Sequence, residues 1–370
     1  MSIPSCARRV AFTVALLTEA ACASGRSVTA TSGKRTPVPH VDLTWLSIAN
    51  VHFQAGPLGI LADGYVTRLP QSAFADQTLV RSTGAFHPDT VAVARVLAAL
   101  GGPSRIQLLL TGHSHFDHAF DTALWSRLTG ARIIGPKTTC FQAIAQSVPA
   151  SRCMPVQGGE TIPLGDGVTM RVVRWNHSGD PAVNPEQHNP SELAAPPHPD
   201  ALTGGLRPGL ADDFPNGGGG RAYLFTMETA GGRLSWLYQN SASPVDLERP
   251  IVVDGVSYGA PLENLRAAMR DARIDSVDLW IATGGVPIAT LVLPVLKPRA
   301  YLPVHWDGLF APFFGGVPAP YADSALEAWL ASNGVRLVRP TQYMDRWRLD
   351  RAGVHPIAND SAKRALGFAP

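Results

Sequence analysis

Charged residues are scarce in this 370-residue sequence. Asp, Glu, Lys and Arg together make up 16% of it, against about 25% in typical soluble domains. The 31 basic and 29 acidic residues leave a formal net charge of +2, and the sequence contains no basic run. Because proteins that bind nucleic acids use clustered Lys and Arg to neutralise phosphates, we expect no nucleic-acid partner.

Long apolar runs are also missing. After the N-terminal region, no stretch has the roughly 18 uninterrupted apolar residues that a membrane-spanning helix needs. The sequence therefore predicts no transmembrane segment.

The N-terminal region has the pattern of an export signal. Arg8 and Arg9 precede an apolar run at residues 10–17, and small residues follow. This pattern predicts a signal peptide over residues 1–23. The alternative is that Cys22 is the lipid-attachment residue of a bacterial lipoprotein. Both interpretations predict an exported protein, either periplasmic or secreted.

Cysteines are few, and two of the four lie in the signal region. Export leaves Cys140 and Cys153 in an oxidising compartment, where two remaining thiols indicate a disulfide. Two buried free thiols are the alternative. Sequence does not give the Cα separation that a disulfide requires, so both interpretations stay open.

The pattern of apolar residues predicts an α/β arrangement. Short apolar runs predict strands at residues 106–110, 132–134, 170–175, 277–282 and 300–304. Helical spacing with start and stop signals predicts helices at residues 88–100, 261–270 and 324–330. Glycine-containing turns predict two hairpins, 222–229 with 233–238 and 45–52 with 60–68.

A cluster of metal-binding residue types follows the apolar run 106–110. It contains His113, His115, Asp117 and His118. His113 and His115 can point the same way from an extended segment, and the next two residues can reach a second point a few Å away. Imidazole and carboxylate suit Zn²⁺ and similar divalent metals. No cysteine lies near, as a closed structural zinc site would often require, so the cluster predicts a catalytic metal site.

The segment from His113 to His118 resembles the HxHxDH motif of the metallo-β-lactamase fold superfamily. Asp63, at a strand end upstream, resembles the family's aspartate that supports a metal ligand. His177 and His305, each after a predicted strand, resemble its later histidine ligands. The resemblance covers most of the mature chain, and the sequence before His305 is similar to the lactonase-like and phospholipase-D-like branches. It implies an αββα sandwich of two mixed β-sheets flanked by helices.

The same resemblance implies a set of metal ligands and a domain organisation. One ion, taken as Zn²⁺, would be bound by His113, His115 and His177, and a second ion by Asp117, His118 and His305. We expect a signal peptide, a flexible linker, a catalytic domain with one loop insertion and a C-terminal tail. Their bounds are 1–23, 24–40, 41–350 with the insertion at 178–220, and 351–370.

One departure from the family concerns the carboxylate that bridges the two metals. The corresponding stretch, residues 238–243, contains no Asp, and Asn240 and Ser241 stand in its place. We therefore expect a weaker second metal site, or two metals joined by hydroxide alone, and expect Asp at position 240 or 241 to raise occupancy. Bridging by another acidic residue, such as Asp246, is the alternative.

These ligands predict hydrolysis. Zinc is redox-inert and lowers the pKa of bound water from 15.7 to about 7, which generates hydroxide at neutral pH. Asp117 is placed to orient this nucleophile and to receive its proton. Neither a Gly-x-Ser-x-Gly elbow nor a phosphate-binding glycine loop is present to support another mechanism.

Two segments bear on the substrate. Residues 178–220 contain eight prolines and eight glycines, which is typical of a functional lid or of disorder. His188 and His198 within it are interpreted as surface histidines, with substrate contact as the alternative. After His305, an aromatic segment predicts an apolar wall for the substrate, with core packing as the alternative. Its aromatic residues are Phe310, Phe313 and Phe314.

The sequence therefore predicts an exported zinc-dependent hydrolase that uses metal-bound hydroxide to cleave an ester, lactone or lactam bond. Its expected partner is a small-molecule substrate with an apolar part. A metal-dependent phosphodiesterase is the alternative within this class. From other classes, a di-iron redox enzyme and a binding protein that holds metal without catalysis remain alternatives.

Overall fold

A computed structural model describes residues 40–369. The predicted signal peptide, the alternative lipid-attachment residue Cys22 and nearly all of the predicted linker lie outside the described residues. Within the described part of the chain, no helix is both long enough and apolar enough to cross a membrane.

The first sheet has eight strands and mixes antiparallel with parallel pairing. In chain order they are β1 (Val41–Ser47), β2 (Asn50–Ala55), β3 (Leu58–Ala62), β4 (Leu108–Leu110), β5 (Arg132–Gly135), β6 (Cys153–Pro155), β16 (Arg346–Asp350) and β17 (Gly353–Ile357). Their order across the sheet is β17-β16-β1-β2-β3-β4-β5-β6. Strands β3 to β6 run parallel.

The second sheet has seven strands and is also mixed. They are β7 (Thr161–Gly165), β8 (Val168–Arg174), β9 (Arg221–Thr229), β10 (Gly232–Gln239), β13 (Leu279–Ala282), β14 (Ala300–Pro303) and β15 (Arg336–Leu337). Their order is β15-β14-β13-β10-β9-β8-β7, and β10, β13, β14 and β15 run parallel. A separate hairpin consists of β11 (Val252–Val253) and β12 (Val256–Ser257).

Nine α-helices accompany the sheets in residues 40–369. They are α1 (Thr90–Ala99), α2 (Phe116–Ala119), α3 (Thr122–Thr129), α4 (Lys137–Ala145), α5 (Pro185–His188), α6 (Pro261–Ala272), α7 (Val286–Leu296), α8 (Ser324–Ser332) and α9 (Asp360–Leu366). Side-chain caps begin α1, where Asp89 accepts from Val91 N and Ala92 N, and α8, where Asp323 accepts from Leu326 N.

The two sheets pack face to face, and helices cover the outer side of the sandwich. Phe53 of the first sheet lies 5.9 Å from Phe225 and 6.0 Å from Trp236 of the second, measured between ring centres. Alternate residues of β9 enter two cores: Phe225 joins the core between the sheets, and Leu224 joins the core beneath α6, α7 and α8. This arrangement confirms the predicted αββα sandwich of two mixed sheets.

Both predicted hairpins form, but the second is shorter than predicted, because β2 and β3 pair across Gly56 and Pro57. Strands β9 and β10 pair across the turn at Ala230 and Gly231. The predicted strand 45–52 is wrong, because the chain reverses between β1 and β2 at Ile48, which has φ 44°. A β-branched residue seldom adopts this left-handed conformation. Here the Asp307 carboxylate accepts from Ile48 N at 3.0 Å and stabilises the turn.

Two other segments can be compared with the sequence-based expectations. Cys140 on α4 and Cys153 at the start of β6 form a disulfide, with a Cα separation of 5.5 Å. The C-terminal residues that the sequence suggested as a tail contain β17, which pairs with β16, and α9, which contacts α1.

Candidate metal centre

The residues of the candidate centre follow the carboxyl ends of strands in both sheets, and β8 runs in the same direction as β10 although it pairs antiparallel with β7 and β9. Asp63 comes directly after β3, and the histidine motif follows β4. His177, Asn240 and His305 follow β8, β10 and β14 of the second sheet. Since carboxyl ends of parallel strands meet at one edge of a sheet, side chains from distant parts of the sequence converge there.

The chain bends sharply between β4 and the motif. Gly112 N donates to Asp63 Oδ1 at 3.0 Å. A Cβ atom at Gly112 would overlap the side-chain amide of Asn240, so only glycine fits. The motif then continues into the short helix α2, which carries Asp117 and His118.

His113, His115 and His177 form the first triad. Their ligand nitrogens all lie within 4.8 Å of one another, and His113 Nε2 is 3.1 Å from His115 Nδ1. His177 Nδ1 lies 2.9 Å from the Ser178 carbonyl oxygen, which can only accept. The bond therefore assigns the hydrogen to Nδ1 and leaves Nε2 available as a ligand.

Asp117, His118 and His305 form the second triad. Asp117 Oδ2 lies 3.0 Å from His118 Nε2 and 3.0 Å from His305 Nε2. His305 has the left-handed φ of 63°, and its N–H donates to the Ile48 carbonyl at 2.8 Å. The unpredicted turn at Ile48 thus positions the last ligand.

Asp63 supports the second triad from behind. This fully buried carboxylate accepts from His118 Nδ1 at 2.8 Å, from Tyr238 Oη at 2.5 Å and from Asn240 Nδ2 at 3.0 Å. The bond to His118 fixes the ring so that Nε2 faces Asp117. The supporting role that the resemblance implied for Asp63 matches these contacts.

Burial keeps the first triad neutral. Desolvation lowers the pKa of His115 to about 3 and holds the pKa values of His113 and His177 well below their usual range, with the neighbouring histidines adding to the effect at both. A metal ligand must be unprotonated imidazole. The first triad therefore presents three neutral nitrogens at neutral pH.

The second triad is charged. Burial lowers the pKa of His118, but the carboxylates of Asp117 and Asp63 outweigh it and raise that pKa to about 10. Burial acts to raise the pKa of Asp117, yet His118 and His305 hold it well below its usual range. The second triad is thus an ion pair at neutral pH, and a metal ion that bound there would displace the proton from His118 Nε2.

The two donor sets fit divalent metal ions. Three imidazoles match one zinc-type site with an open position, and two imidazoles with a carboxylate match another. All six side chains are buried or partly buried, and no Lys or Arg belongs to either group. His115 Nε2 is buried without a hydrogen-bond partner, which shows that hydrogen bonds within the protein do not satisfy the whole cluster.

The three residues considered from sequence in place of the bridging carboxylate are Asn240, Ser241 and Asp246. Asn240 lies behind the ligand rings, with Oδ1 3.3 Å from His113 Nδ1. Ser241 Oγ accepts from Ser178 N at 2.7 Å. Asp246 accepts from Asn176 Nδ2 at 2.5 Å and belongs to neither triad. Of the described residues, Asp117 is the one carboxylate in the two ligand groups.

The structure places the predicted aromatic wall mainly in the core. Phe313 is 3% exposed and stacks on Tyr343 at 5.2 Å. Phe314 lies under the Arg95 guanidinium, and Phe310 packs against Phe74. Core packing, the alternative considered from sequence, therefore accounts for these contacts.

The segment 178–220 packs against the centre. Ser114, inside the motif, donates to the Pro215 carbonyl at 2.7 Å, and Phe214 is fully buried. His188 lies beside His177, with 5.4 Å between ring centres, whereas His198 is exposed. The interpretation as a surface histidine therefore matches His198 and not His188.

Sequence reasoning missed Tyr238, whose hydroxyl contacts Asp63. The alternation of β10 directs Leu234, Trp236 and Tyr238 toward the core between the sheets. A phenol among large apolar residues on such a face needs a hydrogen-bond partner. This requirement was the sequence signal that could have indicated a buried polar contact for Tyr238.

Comparison with known proteins gives a local sequence match and distant structural likenesses. No family model matches the chain. A UPF0173 metal-dependent hydrolase from Pyrobaculum islandicum is 33% identical over 72 residues, which is 20% of this chain and 32% of that protein. The chain thus spans about a third of the length of the curated relatives it matches. Over this stretch, the resemblance to metal-dependent hydrolases is confirmed.

Two solved structures align over most of the chain at low identity. Igni18, a metallo hydrolase from Ignicoccus hospitalis, is 12% identical with a TM-score of 0.47, covering 84% of this chain and 99% of that one. The metallo-β-lactamase fold protein YhfI from Bacillus subtilis is 10% identical with a TM-score of 0.44, covering 84% and 99%.

Proposed function

We propose that this protein is an exported, zinc-dependent hydrolase that cleaves an ester, lactone or lactam bond. The observation that carries the proposal is the convergence of two ligand triads at one edge of the two-sheet sandwich, each with its ligand atoms within 4.8 Å of one another. Neither triad contains a thiolate, and such sets of imidazole and carboxylate are typical of catalytic zinc. The similarity to metal-dependent hydrolases supports the same reaction class.

Each triad would bind one metal ion. His113, His115 and His177 would hold one ion through neutral imidazoles, and Asp117, His118 and His305 would hold the other through a carboxylate and two imidazoles once His118 has released its proton. A bound zinc ion lowers the pKa of water to about 7 and polarises a carbonyl oxygen.

Asp117 is the residue of this chain that would handle the proton. His118 and His305 keep its pKa low, so the carboxylate is ionised at neutral pH and can accept a hydrogen bond from the attacking water. Only its Oδ2 atom faces the two imidazoles. The carboxylate would orient the nucleophile and take up its proton.

Export is supported by the disulfide. Cys140 and Cys153 are bonded, and disulfides persist mainly in oxidising compartments. The predicted signal peptide over residues 1–23 supports the same location. We accordingly place the mature enzyme in the periplasm or outside the cell.

The proposal is tested with chelator-treated protein and a panel of chromogenic substrates. We expect hydrolysis of an aryl ester, a lactone or a β-lactam to be lost with chelator and restored by Zn²⁺. Turnover of a phosphodiester alone would favour the phosphodiesterase alternative. Activity restored only by iron, with absorbance changes under oxygen, would favour the redox alternative, and zinc binding without any turnover would favour the binding protein.

A further inference from the structure

A cavity of about 750 Å³ adjoins the second triad. It lies beside His305, between the residues that follow β13 and β14 and the first turn of α8. Its volume falls within the range of small-molecule sites, and crevices at the carboxyl ends of parallel strands commonly bind ligands. We call this cavity the Trp306 pocket.

Three aromatic residues contribute to its wall. Trp306, Tyr321 and Tyr301 all line it. Trp306 and Tyr321 meet edge to face with ring centres 5.4 Å apart, and Trp306 also stacks on Trp45 at 5.4 Å. Because Trp306 is held between two aromatic neighbours, the wall has little freedom to change shape.

The lining of the pocket contains more acidic than basic side chains. Its lining contains two carboxylates, Asp307 and Asp323, and no Lys or Arg. Asp307 is neutralised by a buried ion pair with Arg68 at 3.2 Å. Asp323 has no ion pair with any residue in the described part of the chain. Its Oδ1 caps α8 by accepting from Leu326 N at 2.9 Å. Its Oδ2 lies near Gly285, where an added Cβ would be 3.5 Å from that oxygen.

The carboxylate and the aromatic rings lie close enough to interact. Burial raises the pKa values of Tyr321 and Tyr301, and the negative charge of Asp323 raises both further. Arg339 approaches the Tyr321 ring at 5.9 Å from the outside, but it pairs with Glu327 at 2.6 Å. Among the side chains that line the pocket, Asp323 is therefore the carboxylate without a cationic partner in the described part of the chain.

We infer that the Trp306 pocket binds a hydrophobic cation, an alkylammonium group, as the part of the substrate on the His305 side of the reaction centre. Aromatic faces attract such cations, and a carboxylate without a cationic partner adds to the attraction. The inference rests on the proposed function, because that function makes the neighbour of this pocket a reaction centre.

The test measures binding separately from turnover. Three probes of nearly equal shape are titrated calorimetrically into the full mature protein: choline, its neutral isostere 3,3-dimethylbutanol and the anion 3,3-dimethylbutanoate. We expect choline to bind about fivefold to tenfold more tightly than the neutral alcohol, as cation-π attraction predicts. The anion reports binding to zinc itself, because a carboxylate can ligate the metal.

Asp323→Asn removes the charge while keeping a residue that caps helices equally well. We expect it to abolish most of the preference for choline and to leave binding of the neutral alcohol unchanged. Asp89→Asn is the matched control, since Asp89 caps α1 in the same way. It should keep the full preference. Equal binding of choline and the alcohol to the unaltered protein, or an unchanged preference in Asp323→Asn, would overturn the inference.

Turnover of matched esters separates this inference from the proposed function. Acetate esters of choline and of 3,3-dimethylbutanol are compared with the same protein. Ester hydrolysis without any preference for the choline ester would overturn the pocket inference and leave the hydrolase standing. Selective binding of choline without hydrolysis of any ester, lactone or lactam in the panel would overturn the proposed hydrolase and leave the pocket as a cation-binding site.

Discussion

Histidines are buried in two regions of this molecule, and the regions differ in how the ring nitrogens are satisfied. His52, on β2, is 3% exposed, and its Nε2 lies 2.8 Å from the Arg105 carbonyl oxygen, to which it donates. In the metal centre, His113 Nε2 and His115 Nδ1 face each other at 3.1 Å, and His115 Nε2 has no partner.

Burial has the same electrostatic effect in both regions. Desolvation lowers the pKa of His52 to about 4 and that of His115 to about 3. A depressed pKa therefore does not identify a ligand. A metal ligand is instead indicated where several histidine nitrogens converge and the protein offers no hydrogen-bond acceptor for them, because buried polar groups need a partner.

Replacing Asp117 with Ala is the change with the largest expected effect. Loss of the group that orients water and accepts its proton should lower kcat by about 10²-fold to 10⁴-fold. His52→Gln, which alters the other buried histidine, should leave kcat near the wild-type value. Rates are measured with the best substrate of the panel, and circular dichroism checks that both variants fold. Near wild-type rates in Asp117→Ala would refute its role.

His52 should make the free energy of unfolding depend on pH in the acidic range, and it should not affect metal binding. Above pH 6.5 its lowered pKa has no effect, since neither the folded nor the unfolded state binds the proton. As pH falls from 6.5 to about 4, only the unfolded state is protonated, so the free energy of unfolding should fall by up to about 3 kcal/mol. Urea titrations of zinc-loaded protein and His52→Gln measure this difference. Identical pH dependence in the two proteins would contradict it.

Asp63→Asn should weaken the second triad without removing a ligand. Asn tolerates the left-handed φ of 58° at this position, but it loses the charge behind His118. Loss of such a partner typically costs 10-fold to 100-fold in metal affinity. Zinc affinity is measured by competition with a chelating dye. Asp121→Asn, at a buried carboxylate that accepts from Val66 N and Thr67 N, is the control and should leave zinc affinity unchanged.

Asn240→Asp has the smallest expected effect, and its sign is opposite to the expectation from sequence. A carboxylate here would stand where Asn240 Nδ2 now donates to Asp63 at 3.0 Å, so two negative charges would oppose each other. We expect zinc affinity to fall several-fold. Asn240→Ala loses the hydrogen bond without adding a charge, so its zinc affinity should fall less than that of Asn240→Asp. A gain in occupancy with Asp would restore the bridging hypothesis.

Sequence predicted the parts of the centre that depend on local pattern. The motif from His113 to His118 was found from its spacing after a short apolar strand, and His177 and His305 were found through the family resemblance that this motif carries. The turn at Ile48 was not predictable, since Asp307, 259 residues away, stabilises its left-handed backbone. Likewise, Phe313 and Trp306 lie in similar aromatic sequence, and only packing sends one into the core and places the other at a cavity.

Zinc titration of chelator-treated protein tests the metal centre most directly. We predict that the wild-type protein binds two equivalents, that His115→Ala binds one fewer, and that His52→Gln binds both. Absence of zinc binding by the wild-type protein, or full binding by His115→Ala, would contradict the assignment of these six side chains as metal ligands.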